Sequence, residues 1–265
     1  APKSEFYLFQ PRDEAALDRY NEFDRVTDLF PVNSVGIVTS RDGFVIDIDR
    51  DRLERRVRQF RDANMPDELI EQAFDLHDNR TWNLHEAREA VRADEGWQDK
   101  LVRCLYRPFD ERWLFYEPPV IERGREEVMR HMLAGTNLAL ITMRQVALDE
   151  PYTHALVTRT LTDNRTFLSS KGITQHIPLY LYPETSKNNI FNHLPENGDR
   201  RPNLAPELLP ALQNAHGTQP TPEEVFHYVY AVLCTTAYRD KYAEFLKFDF
   251  PRVPLTSRRP LFRKL

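Results

Sequence analysis

The sequence predicts an α+β fold in which a mixed sheet of short strands is accompanied by segregated helices. Three observations lead there. Between Leu53 and Val91 apolar residues recur at helical spacing, whereas after Trp97 they gather in short β-rich runs. A capped helical pattern returns at Thr221. With 41% apolar and 29% charged residues, a chain of 265 residues can bury a substantial core, as one large domain or two modest ones.

The elements follow in order. Glu5–Phe9 is a short strand candidate, and Leu17, Tyr20, Val26 and Leu29 predict a helix from Asp13 to Phe30 that Pro31 stops. Val35–Thr39 and Phe44–Ile48 flank Ser40-Arg41-Asp42-Gly43, and two β-rich runs around Asp-Gly predict a hairpin. Leu53, Val57 and Phe60 give a helix with arginines on its other face. Pro66 stands at the first position of a second helix, which buries Leu69, Ile70, Ala73 and Phe74. Asn83 caps a third that runs through Val91. Strands are expected at Leu101–Tyr106, Arg112–Tyr116, Leu138–Thr142, Ala155–Thr160 and Ile177–Tyr182, interrupted by a helix at Glu126–Leu133. Pro183–Pro210, rich in Pro and Asn, reads as a long loop. Thr221-Pro222-Glu223-Glu224 offers a hydroxyl cap, a first-turn proline and a glutamate three residues after the cap, so a helix starts there and runs through Leu233. A last helix carries Tyr238, Tyr242 and Phe245 before Pro251 and Pro254 end it.

Composition excludes several classes. No apolar run approaches the ~20 residues of a membrane-spanning helix, and no signal-peptide pattern opens the chain. Cys104 and Cys234 are far apart in apolar surroundings, which points to thiols in a reducing cytoplasm. The chain begins at Ala1, as expected of a fragment or processed product. There is no G-x-G-x-x-G or Walker-type loop, no C-x-x-C, no H-E-x-x-H and no G-x-S-x-G. The only Pro-Pro, Pro118-Pro119, is preceded by Glu117 and followed by Val120, unlike the Asp/Asn/Ser-Pro-Pro-aromatic tetrapeptide of an amino-methyltransferase. His77 and His85, near Asp75 and Asp78, suit surface or capping roles better than a metal. Asp47 and Asp49, at a strand-to-helix junction, suit capping better than acid–base work. No catalytic residue, metal or cofactor is expected here.

Charge is uneven along the chain. Residues 1–99 hold 14 Lys/Arg and 23 Asp/Glu, a net of −9, while residues 100–265 hold 22 and 18, a net of +4. The cations are 29 Arg and 7 Lys, a bias that suits phosphate and guanine contacts but is equally what a GC-rich genome produces. The densest segment, Tyr106-Arg107-Pro108-Phe109-Asp110-Glu111-Arg112-Trp113-Leu114-Phe115-Tyr116, interleaves arginines with aromatics. It reads either as phosphate contacts backed by rigid rings or as an Arg–Asp network anchoring a strand pair around Trp113 and Phe115.

These blocks carry a resemblance. YRPFDERWLFY, ERGREEVMRHML, IPLYLYP at 177–183, VFHYVYAVL at 225–233 and KYAEFLKFDFPRVP at 241–254 resemble, in order, the C-terminal specificity domain of type ISP restriction–modification enzymes. FPVNSVGIVTSRDGFVID at 30–47 resembles the start of that domain, and more loosely a Gly-Ile-x-Thr-Gly-x-Asn segment of single-chain methyltransferase–nucleases, with Ser40 and Asp42 replacing its second glycine and its asparagine. The resemblance implies a target-recognition-domain-like fold and a function in DNA sequence recognition. It divides the chain into a linker from a methyltransferase core (1–30), a hairpin and helical subdomain (31–99) and a strand-rich recognition subdomain with C-terminal helices (100–265). It also implies a parent that methylates adenine N6, or cytosine N4, using S-adenosylmethionine, and that in some members carries ATPase and endonuclease activities with ATP and Mg. The implied partners are double-stranded DNA and the methyltransferase domain of the same parent chain, with no membrane.

Base contacts belong on variable loops. Arg41, Arg144, Gln145, Asn164, Arg165, Lys171, Gln175, Lys187, Asn188 and Asn189 have suitable side chains, while Arg107, Asp110, Arg112 and Trp113 read as structural, Arg107 and Arg112 pairing with carboxylates such as Asp110. Two other readings stay open: a protein–protein coupling module without base readout, and a hydrolase whose site the motifs do not reveal.

Overall fold

The computed structural model describes residues 14–183 and 200–264. The N-terminal helical pattern is split into α1 (Glu14–Asn21) and α2 (Val26–Leu29) by the two-residue strand β1 (Asp24–Arg25). β1 pairs with β12 (Arg252–Val253), so a partner from the far end of the sequence overrides local helical periodicity. The strand candidate at Glu5–Phe9 lies outside the described residues.

The expected Asp-Gly hairpin is absent. β2 (Ser34–Val35) and β3 (Ile46–Asp47) join different sheets, and the helical turn α3 (Asp42–Val45) stands between them. Thr39 donates its hydroxyl to the Asp42 carboxylate, Tyr106 donates to the other oxygen at 2.9 Å, and the Phe44 and Val45 amides bond back to Arg41. A carboxylate fixed this way favours a helical turn over the left-handed Asp-Gly turn a hairpin needs.

The three central helices form as expected. In α4 (Arg50–Arg61) Leu53, Val57 and Phe60 are buried, and the Asp49 carboxylate caps the Arg52 amide at 2.9 Å. The Asp47 carboxylate takes Arg56 at 2.5 Å, holding α4 against β3. In α5 (Asp67–Phe74) Pro66 is the cap residue, Ile70 is buried, Phe74 is half-buried, and Leu69 and Ala73 face solvent, a narrower apolar face than the spacing predicted. In α6 (Leu84–Ala93) Asn83 caps Glu86, and Arg88 is fully buried, donating to the carbonyls of Phe60, Asp62 and Met65 at 2.8–2.9 Å and pairing with Asp67. His77 pairs with Glu71 and Asp75 and His85 with Asp67, all at the surface, and no carboxylate–His–Cys group suits a metal among the described residues.

Next come β4 (Leu101–Arg107) and β5 (Asp110–Phe115), then α7 (Glu126–Leu133), β6 (Ala139–Met143) and β7 (Leu156–Thr158). The strand β8 (Leu161–Thr162) follows. The run at 177–182 divides into β9 (Thr174–Pro178) and β10 (Tyr180–Leu181), the latter paired with β11 (Arg201–Pro202). Residues 200–210 are not all loop, because α8 (Leu208–His216) begins there and buries Leu208 and Leu212. α9 (Pro222–Cys234) carries the full capping box at Thr221 and Glu224. The last expected helix is α10 (Thr236–Lys241) with a separate turn at Phe245–Lys247, and α11 (Arg259–Lys264) was not foreseen.

Two four-stranded sheets carry this framework, ordered β2-β9-β6-β7 and β3-β5-β4-β8. Each takes one strand from before residue 99, and one continuous apolar core, from Tyr20 through Leu114 and Ile141 to Phe262, runs beneath both. No described helix is long and apolar enough to cross a membrane.

Candidate nucleic-acid interface

Strand register decides which loops meet. Met143 at the end of β6 lies opposite Thr174 at the start of β9, and Val35 at the end of β2 lies opposite Gln175. Hence residues 36–41, 144–155 and 163–173 all leave from one end of the first sheet. β8 runs parallel to β4, with Leu105 opposite Thr162, which brings the β4–β5 hairpin tip to the same end. Main-chain hydrogen bonds lace these segments together: Ile37 to Thr162 at 2.8 Å, Asn164 to Ile37 at 2.9 Å and Asp163 to Leu105 at 3.1 Å.

Two glycines permit the close approach. A Cβ on Gly36 would lie 2.6 Å from the Asp163 and Asn164 main chain, and one on Gly172 would lie 2.0 Å from the Gln145 carbonyl oxygen.

The loop at 163–173 has a buried polar frame and an exposed rim. The Asp163 carboxylate accepts from Arg107 and from the Arg165 amide, both at 2.9 Å, while burial pushes its carboxyl pKa up. The Thr166 hydroxyl donates to the Leu105 carbonyl at 2.8 Å, and the Thr174 hydroxyl accepts from the Phe167 amide at 3.0 Å. With its polar groups anchored inward, the loop turns Arg165, Leu168, Ser170, Lys171 and Ile173 to solvent. Leu148 of the neighbouring loop and Phe109 at the hairpin tip are also exposed, Phe109 at 89%. Four of the eight large apolar side chains exposed among the described residues therefore share this end with Arg144, Gln145, Arg165 and Lys171. Such a mixture of cations, amides and apolar tips suits a duplex groove, where phosphates, base edges and thymine methyls alternate.

The structure sorts the residues singled out from the sequence. Arg165 and Lys171 are exposed, with no side-chain partner among the described residues, and Asn164 is half-buried at the loop's root. Arg144 is exposed and reaches Asp249 at 3.2 Å, and exposed Gln145 donates to the Phe248 carbonyl at 3.4 Å. Two candidates are engaged within the fold. Arg41 has a side chain only 6% exposed, stacks over Trp82, donates to the Thr39 and Val120 carbonyls and pairs with Glu122 at 3.6 Å. Gln175 is buried in β9 and donates to Asn33 at 2.5 Å. Lys187, Asn188 and Asn189 lie outside the described residues.

In the aromatic segment Arg112 grips Asp110 at 2.7 and 3.0 Å, as expected, but the carboxylate of Arg107 is Asp163, not Asp110. That pair ties the hairpin to the 163–173 loop. Phe115 is fully buried, whereas Trp113 is half-buried with the Arg103 and Arg50 guanidinium groups over its ring at 5.2 and 5.6 Å. Sequence reasoning missed a cleft of about 550 Å³ beside the 163–173 loop, lined by Arg80, Arg123, Arg125, Asn164 and Ile173 among others. Its arginines come from separate loops, so only the Arg-Gly-Arg at 123–125 could have drawn notice.

Comparison with known proteins agrees with this architecture. Among solved structures, the chain is similar to part of DrdV, seen in a cryoEM complex with DNA, at 26% identity and TM-score 0.65, covering 89% of this chain and 22% of that one. It has the fold of part of LlaBIII, an ATP-dependent type ISP restriction–modification enzyme bound to DNA, at 20% identity and TM-score 0.67, covering 96% of this chain and 16% of that one. A nuclease-deletion mutant of the type ISP enzyme LlaGI, in complex with a DNA substrate mimic, gives 19% identity, TM-score 0.61 and coverage of 96% and 19%. The chain thus spans about a fifth of the length of these enzymes. No curated protein sequence matches it. The model of the type ISP C-terminal specificity domain matches residues 28–265, and the chain belongs to that family.

Proposed function

We propose that this chain recognises a DNA sequence and directs a type ISP-like restriction–modification enzyme to it, without performing chemistry itself. The observation that carries the reading is the gathering of the 144–155 and 163–173 loops at one sheet end, with cationic, amide and apolar side chains exposed on a rigid two-sheet frame. Arg165 and Lys171 are suited to phosphates or guanine, and Gln145 and Asn164 to adenine. The structural relatives are complexes with DNA, which supports a duplex as the partner.

The remaining parts lie in the parent. A methyltransferase has to hold its target base out of the stack, so a separate module selects the site. On this reading a methyltransferase domain of the same parent chain binds S-adenosylmethionine and modifies adenine N6 or cytosine N4. ATP and Mg serve further domains, and the assembly works on cytoplasmic DNA.

Selection of binding sites from a random-sequence duplex library tests the proposal. One short consensus should emerge, and Arg165→Ala or Lys171→Ala should either degrade one position of it or weaken all duplexes alike. Absence of duplex binding even at low salt would overturn the reading and favour a protein-coupling module.

A further inference from the structure

We propose that Arg80, Arg123 and Arg125 form a clamp for a DNA backbone phosphate, which sets the register of the reading loops on the duplex. The inference rests on the DNA-recognition reading above and names a site outside those loops.

What distinguishes this cleft is that three arginines without carboxylate partners among the described residues line it together. Several arginines elsewhere are neutralised: Arg50 and Arg58 by Glu54, Arg52 and Arg56 by Asp47, Arg88 by Asp67, Arg107 by Asp163 and Arg112 by Asp110. Arg80, Arg123 and Arg125 have neither a carboxylate partner nor a side-chain hydrogen bond among the described residues, yet all three line one concavity of about 550 Å³. Its lining contains one carboxylate, Glu122, which is already paired with Arg41. Three like charges in one cleft repel one another, and an anion removes that cost.

Local geometry points the same way. The Nε of Arg125 is buried without an acceptor among the described residues, a donor that a phosphate oxygen would satisfy. Ser40 and Arg125, both on the cleft wall, hold φ of 57°, a left-handed conformation that non-glycine residues adopt at a cost and that recurs at ligand clamps. Bridges join Val38 to Arg123 and Ile37 to Asp163, and Asn164 and Ile173 line the cleft as well as the reading loop. A duplex that meets Arg165 and Lys171 therefore lays its backbone beside the cleft. Apart from charge, the lining offers only aliphatic and small polar groups, with no aromatic ring for a nucleobase to stack on, which favours a backbone phosphate over a free nucleotide.

The test measures binding of the full chain to one fixed random-sequence duplex by fluorescence anisotropy, between about 50 and 200 mM salt. Arg80→Gln, Arg123→Gln and Arg125→Gln are compared with Arg55→Gln, which removes the same charge from an exposed site on α4. Each cleft variant should keep the wild-type melting temperature and lower the log–log salt slope by about one, while Arg55→Gln leaves the slope unchanged. Cleft variants that retain the wild-type slope overturn the clamp, as does displacement of the duplex by ATP in the wild type but not in the cleft variants. The two proposals fail separately. A clamp that fails leaves the consensus from site selection intact, whereas a wild-type chain with a normal salt slope and no consensus overturns sequence recognition and leaves the clamp standing.

Discussion

Replacing Gly36 with alanine tests whether the reading loop is held by the sheet or only rests against it. The new Cβ would lie 2.6 Å from Asn164 N and from the carbonyl carbon and oxygen of Asp163, all main-chain atoms that cannot swing aside. Ordinary contact begins near 3.4 Å, so the segments must part by about 0.8 Å. A shift of that size takes the bonds from Gly36 to Thr174 (3.0 Å), Ile37 to Thr162 (2.8 Å) and Asn164 to Ile37 (2.9 Å) beyond useful length. At ~1 kcal/mol each the loss is about 3 kcal/mol, offset by roughly 0.4–1 kcal/mol from the stiffer unfolded chain. The net expectation is a destabilisation of about 2–3 kcal/mol. Gly43→Ala is the matched control, because a Cβ there meets nothing within 4 Å. Urea unfolding should show a lower midpoint at unchanged slope for Gly36→Ala and little change for Gly43→Ala. Duplex affinity of the still-folded fraction should fall at least about tenfold, since docking geometry is shared among several contacts. Wild-type stability in Gly36→Ala, or full affinity despite the lost stability, would refute the argument.

Three more expectations follow from particular side chains. Burial lowers the pKa of His131 to about 4 and of His176 to about 3, so below the unfolded value near 6.5 protons favour the unfolded chain and stability falls with pH; at pH 5.5 each contributes a loss on the order of 1 kcal/mol, opposed by Glu117 and Asp163, whose carboxyl pKa values burial raises. NMR should show both imidazoles neutral at pH 5.5 in the folded chain, and titration of either near 6.5 would contradict this. Arg107→Ala should destabilise by about 2–3 kcal/mol, because Asp163 is left buried, whereas Arg112→Ala at the half-exposed Asp110 pair should cost under about 1 kcal/mol; equal melting temperatures would contradict the distinction. Phe109 occupies the left-handed region at φ 62° while almost fully exposed, so Phe109→Gly should stabilise the hairpin by about 0.5 kcal/mol and weaken duplex binding; unchanged affinity would remove the ring from the interface.

Elements with local signals were legible in the sequence. Asp49, Asn83 and Thr221 accept the amides three residues on, and Glu126–Leu133 is a helix with the expected bounds. What escaped was written by distant partners. Asp42-Gly43 resembles a hairpin turn until Tyr106, 64 residues away, engages the carboxylate. Two-residue strands such as β1 and β2 are too short for periodicity, and only their partners at Arg252–Val253 and Gln175–His176 define them. Site residues behaved likewise. Arg41 and Gln175 have side chains suited to DNA, and only Glu122, Trp82 and Asn33 reveal that they are already engaged. The arginine cleft is the converse case, since nothing local in the sequence singles out Arg80, Arg123 and Arg125, and the fold gives them no carboxylate partner among the described residues.

The pairing of β1 with β12 bears on how the chain acquires its fold during synthesis. Tyr20 accepts a hydrogen bond from the Arg252 amide, 232 residues downstream, and Arg25 lies opposite Arg252. β2 likewise waits for β9, and β3 for β5. As the ribosome releases the polypeptide from its N-terminus, α4 to α6 can assemble early, but β2 stays an unpaired edge until residues beyond 174 emerge. Such long-range closure makes for slow acquisition of structure and prolonged exposure of strand edges. Of these pairings the last to become possible is that of Arg252–Val253 with Asp24–Arg25. A ribosome stalled before that point would hold a chain in which β2 can pair but β1 cannot, and limited proteolysis of stalled chains of increasing length should show residues 24–25 becoming protected after residues 34–35.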